Sequence, residues 1–513
     1  MDINNISFEK LVEKINNDLK HDFCDKFRYK RKELSNSGRA SSADILFKFV
    51  DEDRDWVINE GGGKEIQYHF YARQNRIGFG LGFNAQYVPF ANEKSPVDYI
   101  MPFVKAFLTL KRNKDKAFIA AEAGGFSLIE GNGWDGLKNI KNGEYYLFGK
   151  EIQTQNGSIP DEEYSQMLEY IKNELFDLYV AIWKQKIEME KKNETIGKLV
   201  ALLTSNHNLI LTGAPGTGKT YLAQQIAKEM GCNETRIGFV QFHPSYDYTD
   251  FVEGLRPKQD ESGNIGFEPK DGIFKKFCEN ALLAYLSDAE NAPKYVFIID
   301  EINRGEISKI FGELFFSIDS GYRVTKGMID DHRSGKSPLV TIRTQYSNMC
   351  KCPNAFDEAL GITDANDFGH FFVPDNVYII GTMNDIDRSV ESMDFAFRRR
   401  FAFKEIKASE NLGMLDEMED KDNIIKRMKN LNAAIEKEES LSSAYHIGGS
   451  YFMKLKLYQN EDKSYDYDSL WNNHLEGLLM EYLRGMADAE KKVKELKEYY
   501  DLKQISSRDV DNE

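Results

Sequence analysis

The 513-residue sequence contains no hydrophobic run approaching the roughly eighteen residues that a membrane-spanning helix needs. Met1 to Lys20 alternates charge with hydrophobics and lacks the apolar core of a signal peptide, so the chain is expected in the cytoplasm, without a membrane partner. Cysteine is scarce, and the five present (Cys24, Cys232, Cys278, Cys350 and Cys352) are odd in number and scattered. That pattern argues for a reducing compartment and against a disulfide framework. Cys350 and Cys352 have no second pair nearby that would complete a zinc site. An excess of positive charge is also missing, since the net charge is −16, which argues against wholesale coating of nucleic acid. The deficit is uneven: residues 1–150 hold 23 Lys and Arg against 21 Asp and Glu, leaving 44 against 62 for the rest. Only the N-terminal part can offer a basic face.

The most informative stretch present is Leu209 to Met230, an apolar strand, a glycine-rich turn and an amphipathic helix. Its loop, Gly213-Ala214-Pro215-Gly216-Thr217-Gly218-Lys219-Thr220-Tyr221, meets the G-x-x-x-x-G-K-[ST] spacing of a phosphate-binding loop. Glycines let backbone N–H groups curl around phosphate oxygens, and the helix beginning near Gly218 aims its positive end at the same anion. Lys219 is expected to reach the β and γ phosphates, and Thr220 to hold Mg²⁺ through its hydroxyl.

Two further apolar runs read as buried parallel strands. Tyr295 to Ile299 closes on Asp300 and Glu301, where Asp300 is expected in the Mg²⁺ shell and Glu301 beside the attacking water. Asn376 to Met383 ends at Asn384, placed to bond water or the γ-phosphate. Shortly after come Arg398, Arg399 and Arg400 between apolar residues. Three cations there call for anionic partners, and a neighbouring subunit's triphosphate would supply one. Local pairing with acids such as Asp394 or Glu405 is the competing reading. No Asn-Lys-x-Asp segment occurs, so guanine preference would have to come from contacts around the strand before the loop.

The N-terminal part reads differently. Residues 1 to about 35 read as a helix whose apolar positions Phe8, Leu11, Ile15 and Leu19 are followed by the most basic stretch, Lys26-Phe-Arg28-Tyr-Lys30-Arg31-Lys32, whose cations and aromatics suit nucleic acid or, equally, a solvated face. From Ile45 to Gly149 short alternating strands appear at Glu65–Tyr71, Ile77–Phe83, Ala117–Ala121 and Glu144–Phe148, with a helix at Tyr99–Leu110. Trp56, Tyr68, Tyr71, Phe79, Phe83 and Trp134 make this small α+β domain rich in aromatics, which either fill a core or form a pocket for a base. Residues 160 to 204 read as a linking helix.

Taken together, the phosphate loop, Phe242-His-Pro-Ser-Tyr246, Phe251 to Pro257, Asp300 to Gly305, Phe372 to Asn384, Arg398 to Phe401 and Ile447 to Phe452 resemble the AAA+ motor of the McrB family. The likeness covers about residues 195–485. It implies an α/β P-loop core with helices on both faces of a parallel sheet, followed by a small helical lid. Residues 1–150 are then a target-reading α+β domain, 151–204 a helical linker, 205–405 the large AAA+ subdomain and 406–513 the small one. The resemblance further implies a ring, typically hexameric, that hydrolyses GTP (ATP being the alternative) with Mg²⁺. It also implies a McrC-like nuclease partner and recognition of modified DNA by the N-terminal domain. The family's Met-Asn-Thr-Ala-Asp-Arg-Ser signature carries Asn384, Asp387, Arg388 and Ser389 over as site residues, while Asp385 and Ile386 depart from it. Arg399 and Arg400 are by the same likeness the expected trans-acting arginines. A MoxR-like remodelling ATPase, which also shows Asp-Glu-Ile-Asn-Arg, is the rival reading.

Overall fold

A computed structural model describes residues 159–502 apart from 260–264, 289–291, 387–394, 417, 419 and 439–440. Before them it describes residue 18 and residues 30–31, 42–46, 48–49, 56–57, 66–73, 76–85, 95–113, 127–128 and 133–153. Two compact units divide the chain, residues 1–193 and 194–513. Among the described residues no helix is long and apolar enough to cross a membrane.

In the first unit an antiparallel sheet runs in the order Lys30–Arg31, Ser42–Leu46, Gln67–Arg73, Arg76–Asn84, Tyr145–Gln153 and Ser127–Leu128. Strand Arg76–Asn84 shows why it pairs on both sides yet buries one face: Phe79, Leu81 and Phe83 alternate with glycines at 78, 80 and 82. Gly80 faces Gly149 across the ladder, and a Cβ on Gly149 would lie 2.0 Å from the Phe79 carbonyl oxygen. Helix Pro96–Asn113 covers that apolar face, with Phe107 between Phe83 and Phe148 at ring separations of 5.1 and 5.0 Å. The segment expected as a linker puts Tyr164, Met167, Ile171, Leu175, Tyr179 and Trp183 into this same core. Phe79 and Phe83 are therefore core residues. The side chains of Trp56, Tyr68, Tyr71 and Trp134 lie outside the described residues, as does the expected strand 117–121.

The second unit is built on five parallel strands, β1 (Asn208–Thr212), β2 (Ile237–Gln241), β3 (Tyr295–Asp300), β4 (Val377–Thr382) and β5 (Ala402–Glu405), in the order β2-β3-β4-β1-β5. Alternation along the central strands loads both faces of the sheet. Phe297 and Ile299, with Val377 and Ile379, join one cluster with Phe274, Cys278 and Ala281 of helix Ile273–Ser287. Val296 and Ile298, with Tyr378, Ile380, Leu209 and Leu211, meet Leu222, Ala223 and Ile226 of helix α1 (Lys219–Glu229) on the other. Each fully buried side chain of this size contributes about 1.5–3 kcal/mol. Continuous apolar runs, rather than alternating polar ones, are what a sheet covered on both faces requires.

Between β2 and β3 an antiparallel hairpin (Glu253–Gln259, Ile265–Asp271) stands on an ion triad in which Lys275 and Glu253 are buried and Asp271 is partly exposed. In it the Lys275 ammonium meets Glu253 at 2.6 Å and Asp271 at 2.7 Å. A helical lid follows β5, its core formed by helices Lys421–Lys437, Glu476–Tyr482 and Ala489–Tyr500 around Leu431, Trp471, Leu479 and Leu496.

Candidate nucleotide site

The carboxyl ends of β1, β3 and β4 meet at the loop that leaves β1. Gly213 sits at φ +140°, and a Cβ there would lie 2.4 Å from the Ile406 carbonyl oxygen, so the chain passes only as glycine. Gly218, at φ +81°, is the residue from which α1 departs, which turns the helix's first N–H groups toward the loop. The buried Thr217 hydroxyl donates to the Ala214 carbonyl at 3.0 Å and ties the loop across Pro215 and Gly216. Tyr221, on α1, is 47% exposed.

Lys219 is only 6% exposed, yet its ammonium is bonded, donating at 2.9 Å each to the carbonyls of Gly213 and Ala214 and to Asn384 Oδ1. Burial pushes its pKa down to about 8, against the opposing pull of Glu301, Asp385 and Asp300. The Thr220 hydroxyl donates to Asp300 Oδ1 at 2.6 Å. Two hard oxygen donors at that separation suit Mg²⁺, which takes few protein oxygens and completes its shell with water and phosphate.

Glu301 occupies the left-handed region at φ +52°, uncommon for a residue with a Cβ, and its surroundings hold it there. Its N–H donates to the Thr382 hydroxyl at 3.3 Å, and that hydroxyl donates to Asp300 Oδ1 at 2.6 Å. Asn384 Nδ2 donates to Glu301 Oε1 at 2.5 Å, Arg304 Nε lies 3.3 Å from Oε2, and Asn303 Nδ2 reaches the Asn384 carbonyl at 3.4 Å. One connected path therefore runs from Lys219 through Asn384 to Glu301. The arrangement can hold a polyphosphate, place a divalent cation beside it and set a carboxylate against water at the same point.

The remaining expected residues separate. Asp387 and Arg388 lie outside the described residues. Arg398 and Arg399 are exposed, with the Arg398 guanidinium 4.8 Å from the Phe403 ring centroid. Arg400 instead turns inward, its side chain 8% exposed. Of the N-terminal basic cluster, Lys30 and Arg31 form a two-residue strand, their side chains outside the description. Lys26, Arg28 and Lys32 lie wholly outside it.

Three contributors receive no role at the site from the sequence, although Thr382, Gly448 and Ser450 lie within segments that carry the resemblance. Thr382 is one, a 2% exposed residue that ends a buried strand two residues before Asn384. Asn411 is another, its Nδ2 donating to the Thr217 carbonyl at 3.1 Å. The lid supplies the third: the N–H groups of Gly448 and Ser450 donate to the Pro215 and Gly216 carbonyls at 3.1 and 3.0 Å.

A β2-β3-β4-β1-β5 parallel sheet with a phosphate loop after β1, an Asp-Glu pair at the tip of β3, an Asn past β4 and a helical lid is the architecture of an AAA+ P-loop protein. Sequence comparison agrees in detail. Residues 208–401 match the AAA domain of the dynein-related subfamily, and residues 423–491 match the alpha-helical lid domain of McrB. The chain is 35% identical over 269 residues to the type IV methyl-directed restriction enzyme EcoKMcrB subunit of Escherichia coli (strain K12), a stretch covering 50% of each chain. It is 28% identical over 235 residues to the type II restriction enzyme BsuMI component YdiS of Bacillus subtilis (strain 168), covering 42% of this chain and 62% of that one. The aligned region thus spans about half the length of the first relative and under two thirds of the second. This is an McrB-like AAA+ protein.

Proposed function

We propose that the chain is a Mg²⁺-dependent nucleoside triphosphatase, with GTP as its nucleotide, that assembles into a hexameric ring in the cytoplasm. In this reading the ring powers DNA restriction, as in defence against phage, together with a McrC-like nuclease subunit, and residues 1–150 contact DNA, modified DNA included. The observation that carries the catalytic part is the hydrogen-bonded path Lys219–Asn384–Glu301 beside the Thr220–Asp300 pair. The McrB-type lid and the two restriction-component relatives support the role in restriction with a partner nuclease, and the basic stretch Lys26 to Lys32 supports DNA contact by residues 1–150.

In this mechanism the loop N–H groups and Lys219 bind the β and γ phosphates, and Thr220 and Asp300 hold Mg²⁺. A Mg²⁺ held by Thr220 and Asp300 would supply positive charge against the phosphates. Glu301 accepts a hydrogen bond from the attacking water and, as it adds in line, takes its proton. Asn384, already bonded to Glu301 and Lys219, orients that water against the γ-phosphate. Thr382 holds Asp300 and the Glu301 backbone at their spacing. Arg399, exposed on the turn after β4, stabilises charge on the neighbouring subunit's transferred group. Phosphate release from GTP and from ATP, each with Mg²⁺, is the test. Turnover of GTP that Glu301→Gln removes while nucleotide still binds is expected, and equal turnover by that variant would refute the assignment. An adjacent reading frame encoding a McrC-like nuclease is the matching observation for the partner.

A further inference from the structure

Arg398, Arg399 and Arg400 are chemically identical and adjacent, but their surroundings are not. The Arg400 guanidinium lies 4.5 Å over the Phe315 ring, Nη1 donates to the Ala396 carbonyl one helical turn back, and Nε stands 3.9 Å from Asp319 Oδ2. Its backbone is fixed as well, because Asn208 Nδ2 donates to the Arg400 carbonyl at 2.9 Å. Asn208 is itself fully buried at the start of β1. Its Nδ2 also donates to the Ile318 carbonyl at 2.6 Å, and its Oδ1 accepts from Nη2 of the buried Arg323 at 2.6 Å. Beneath this runs an aromatic floor, where Phe397 stacks on Phe401 at 4.5 Å and meets Phe311 and Phe315 at 5.6 Å each. Arg399 shares none of these contacts and is exposed.

We infer that Arg400 is a positioning residue that works within its own subunit, where with Asn208 and Phe315 it pins the turn after Phe395 so that Arg399 projects from it. An arginine has one guanidinium. To reach a phosphate in a neighbouring subunit, Arg400 would have to leave the Phe315 face, the Ala396 carbonyl and Asp319 together and uncover the aromatic floor. The part of this inference that concerns Arg399 rests on the proposed ring and its shared site. The anchoring of Arg400 does not.

The test uses the full chain with Arg399→Ala, Arg400→Ala, Phe315→Leu and the double Arg399→Ala/Arg400→Ala variant, read by thermal unfolding without nucleotide and by kcat and KM for GTP. Anchoring predicts that Arg400→Ala and Phe315→Leu each lower Tm of the nucleotide-free chain, by about 5 °C or more for the arginine, while Arg399→Ala leaves Tm unchanged. Positioning predicts a kcat loss on the order of 10²-fold for Arg400→Ala with KM unchanged. It also predicts no further kcat loss when Arg400→Ala is added to Arg399→Ala, because the two act through one group. A merely structural arginine would move Tm and leave kcat where it was. An arginine that crosses the interface would leave Tm unmoved while kcat collapsed, and would multiply its effect with that of Arg399→Ala. Either result overturns the inference. Should Arg400→Ala fail to accumulate as folded protein, Phe315→Leu and Arg400→Lys carry the same comparison. A chain that hydrolyses no nucleotide under any condition sinks the proposed activity and with it the positioning of Arg399. The Tm comparison then still decides the anchor.

Discussion

Thr382→Val is the sharpest perturbation of the nucleotide site, because valine keeps the shape of threonine and removes only the hydroxyl. That hydroxyl donates to Asp300 Oδ1 at 2.6 Å and accepts from the Glu301 N–H at 3.3 Å, in a residue 2% exposed. A hydrogen bond to a charged group contributes about 1.5–3 kcal/mol, and a buried N–H left unpaired costs about 1–3 kcal/mol. If about 2 kcal/mol of this ordering is expressed in the transition state, where Asp300 and Glu301 must be placed together, kcat falls roughly thirtyfold. The loop and Lys219 are untouched, so KM should stay where it is. Steady-state phosphate release across nucleotide concentrations measures both, and Thr382→Ser, which retains the hydroxyl, should recover most of the loss. An unchanged kcat in a valine variant that folds would show that the spacing of the two acids does not depend on Thr382, and the reasoning from the buried hydroxyl would fail.

Other outcomes follow from the same geometry. Lys219→Ala should abolish nucleotide binding in a titration calorimeter, since the ammonium, held at the loop by the Gly213 and Ala214 carbonyls, is the charge that offsets the clustered phosphates. In the wild type, burial holds the Lys219 pKa at about 8 without nucleotide, so binding should draw in protons near that pH. Affinity should then weaken up to about tenfold per pH unit above it, and calorimetry in buffers of differing ionisation enthalpy reads the proton uptake. The sign for folding is opposite: a depressed lysine leaves the unfolded chain binding more protons between about pH 8 and 10.5, so this group's contribution to stability rises with pH across that window. For the N-terminal part, gel-shift binding of DNA by the full chain should weaken as salt rises and lose strength when Lys26, Arg28 and Lys32 become alanine. Salt-independent binding, or none to modified and unmodified DNA alike, would move residues 1–150 to a protein-interaction role.

The parallel core was legible because its evidence is local. An apolar strand, the glycine loop and the helix after it occupy consecutive residues, and β3 and β4 announce themselves as short runs buried on both faces. What joins these pieces is not local. Thr220 and Asp300, 80 residues apart, could be brought together only because each carries a motif that points to the same Mg²⁺, whereas Asn411 meets Thr217 across 194 residues with no motif to expose the pair. The three arginines show the limit most plainly, since identical neighbours can be told apart only by what lies opposite, here Phe315 and Asp319 for Arg400. In the first unit the strand expected to stop at Phe148 runs on to Gln153. Gly149 reads as a breaker by itself, but facing Gly80 it is the residue that lets two backbones approach.

The seam between lid and phosphate loop has a further consequence. Gly448 and Ser450 join it through main-chain N–H groups to the carbonyls of Pro215 and Gly216, beside the one side-chain bond already described, from Asn411 to the Thr217 carbonyl. At Ser450 the bond itself needs only an N–H, which proline alone lacks, although the side chain lies close against Gly216. Gly448 is the opposite case, as a Cβ there would stand 2.1 Å from the Gly216 carbonyl carbon. Two of the ties between lid and loop are therefore set by backbone geometry, so substitutions that keep the main chain at 448 and 450 in place leave those two bonds standing.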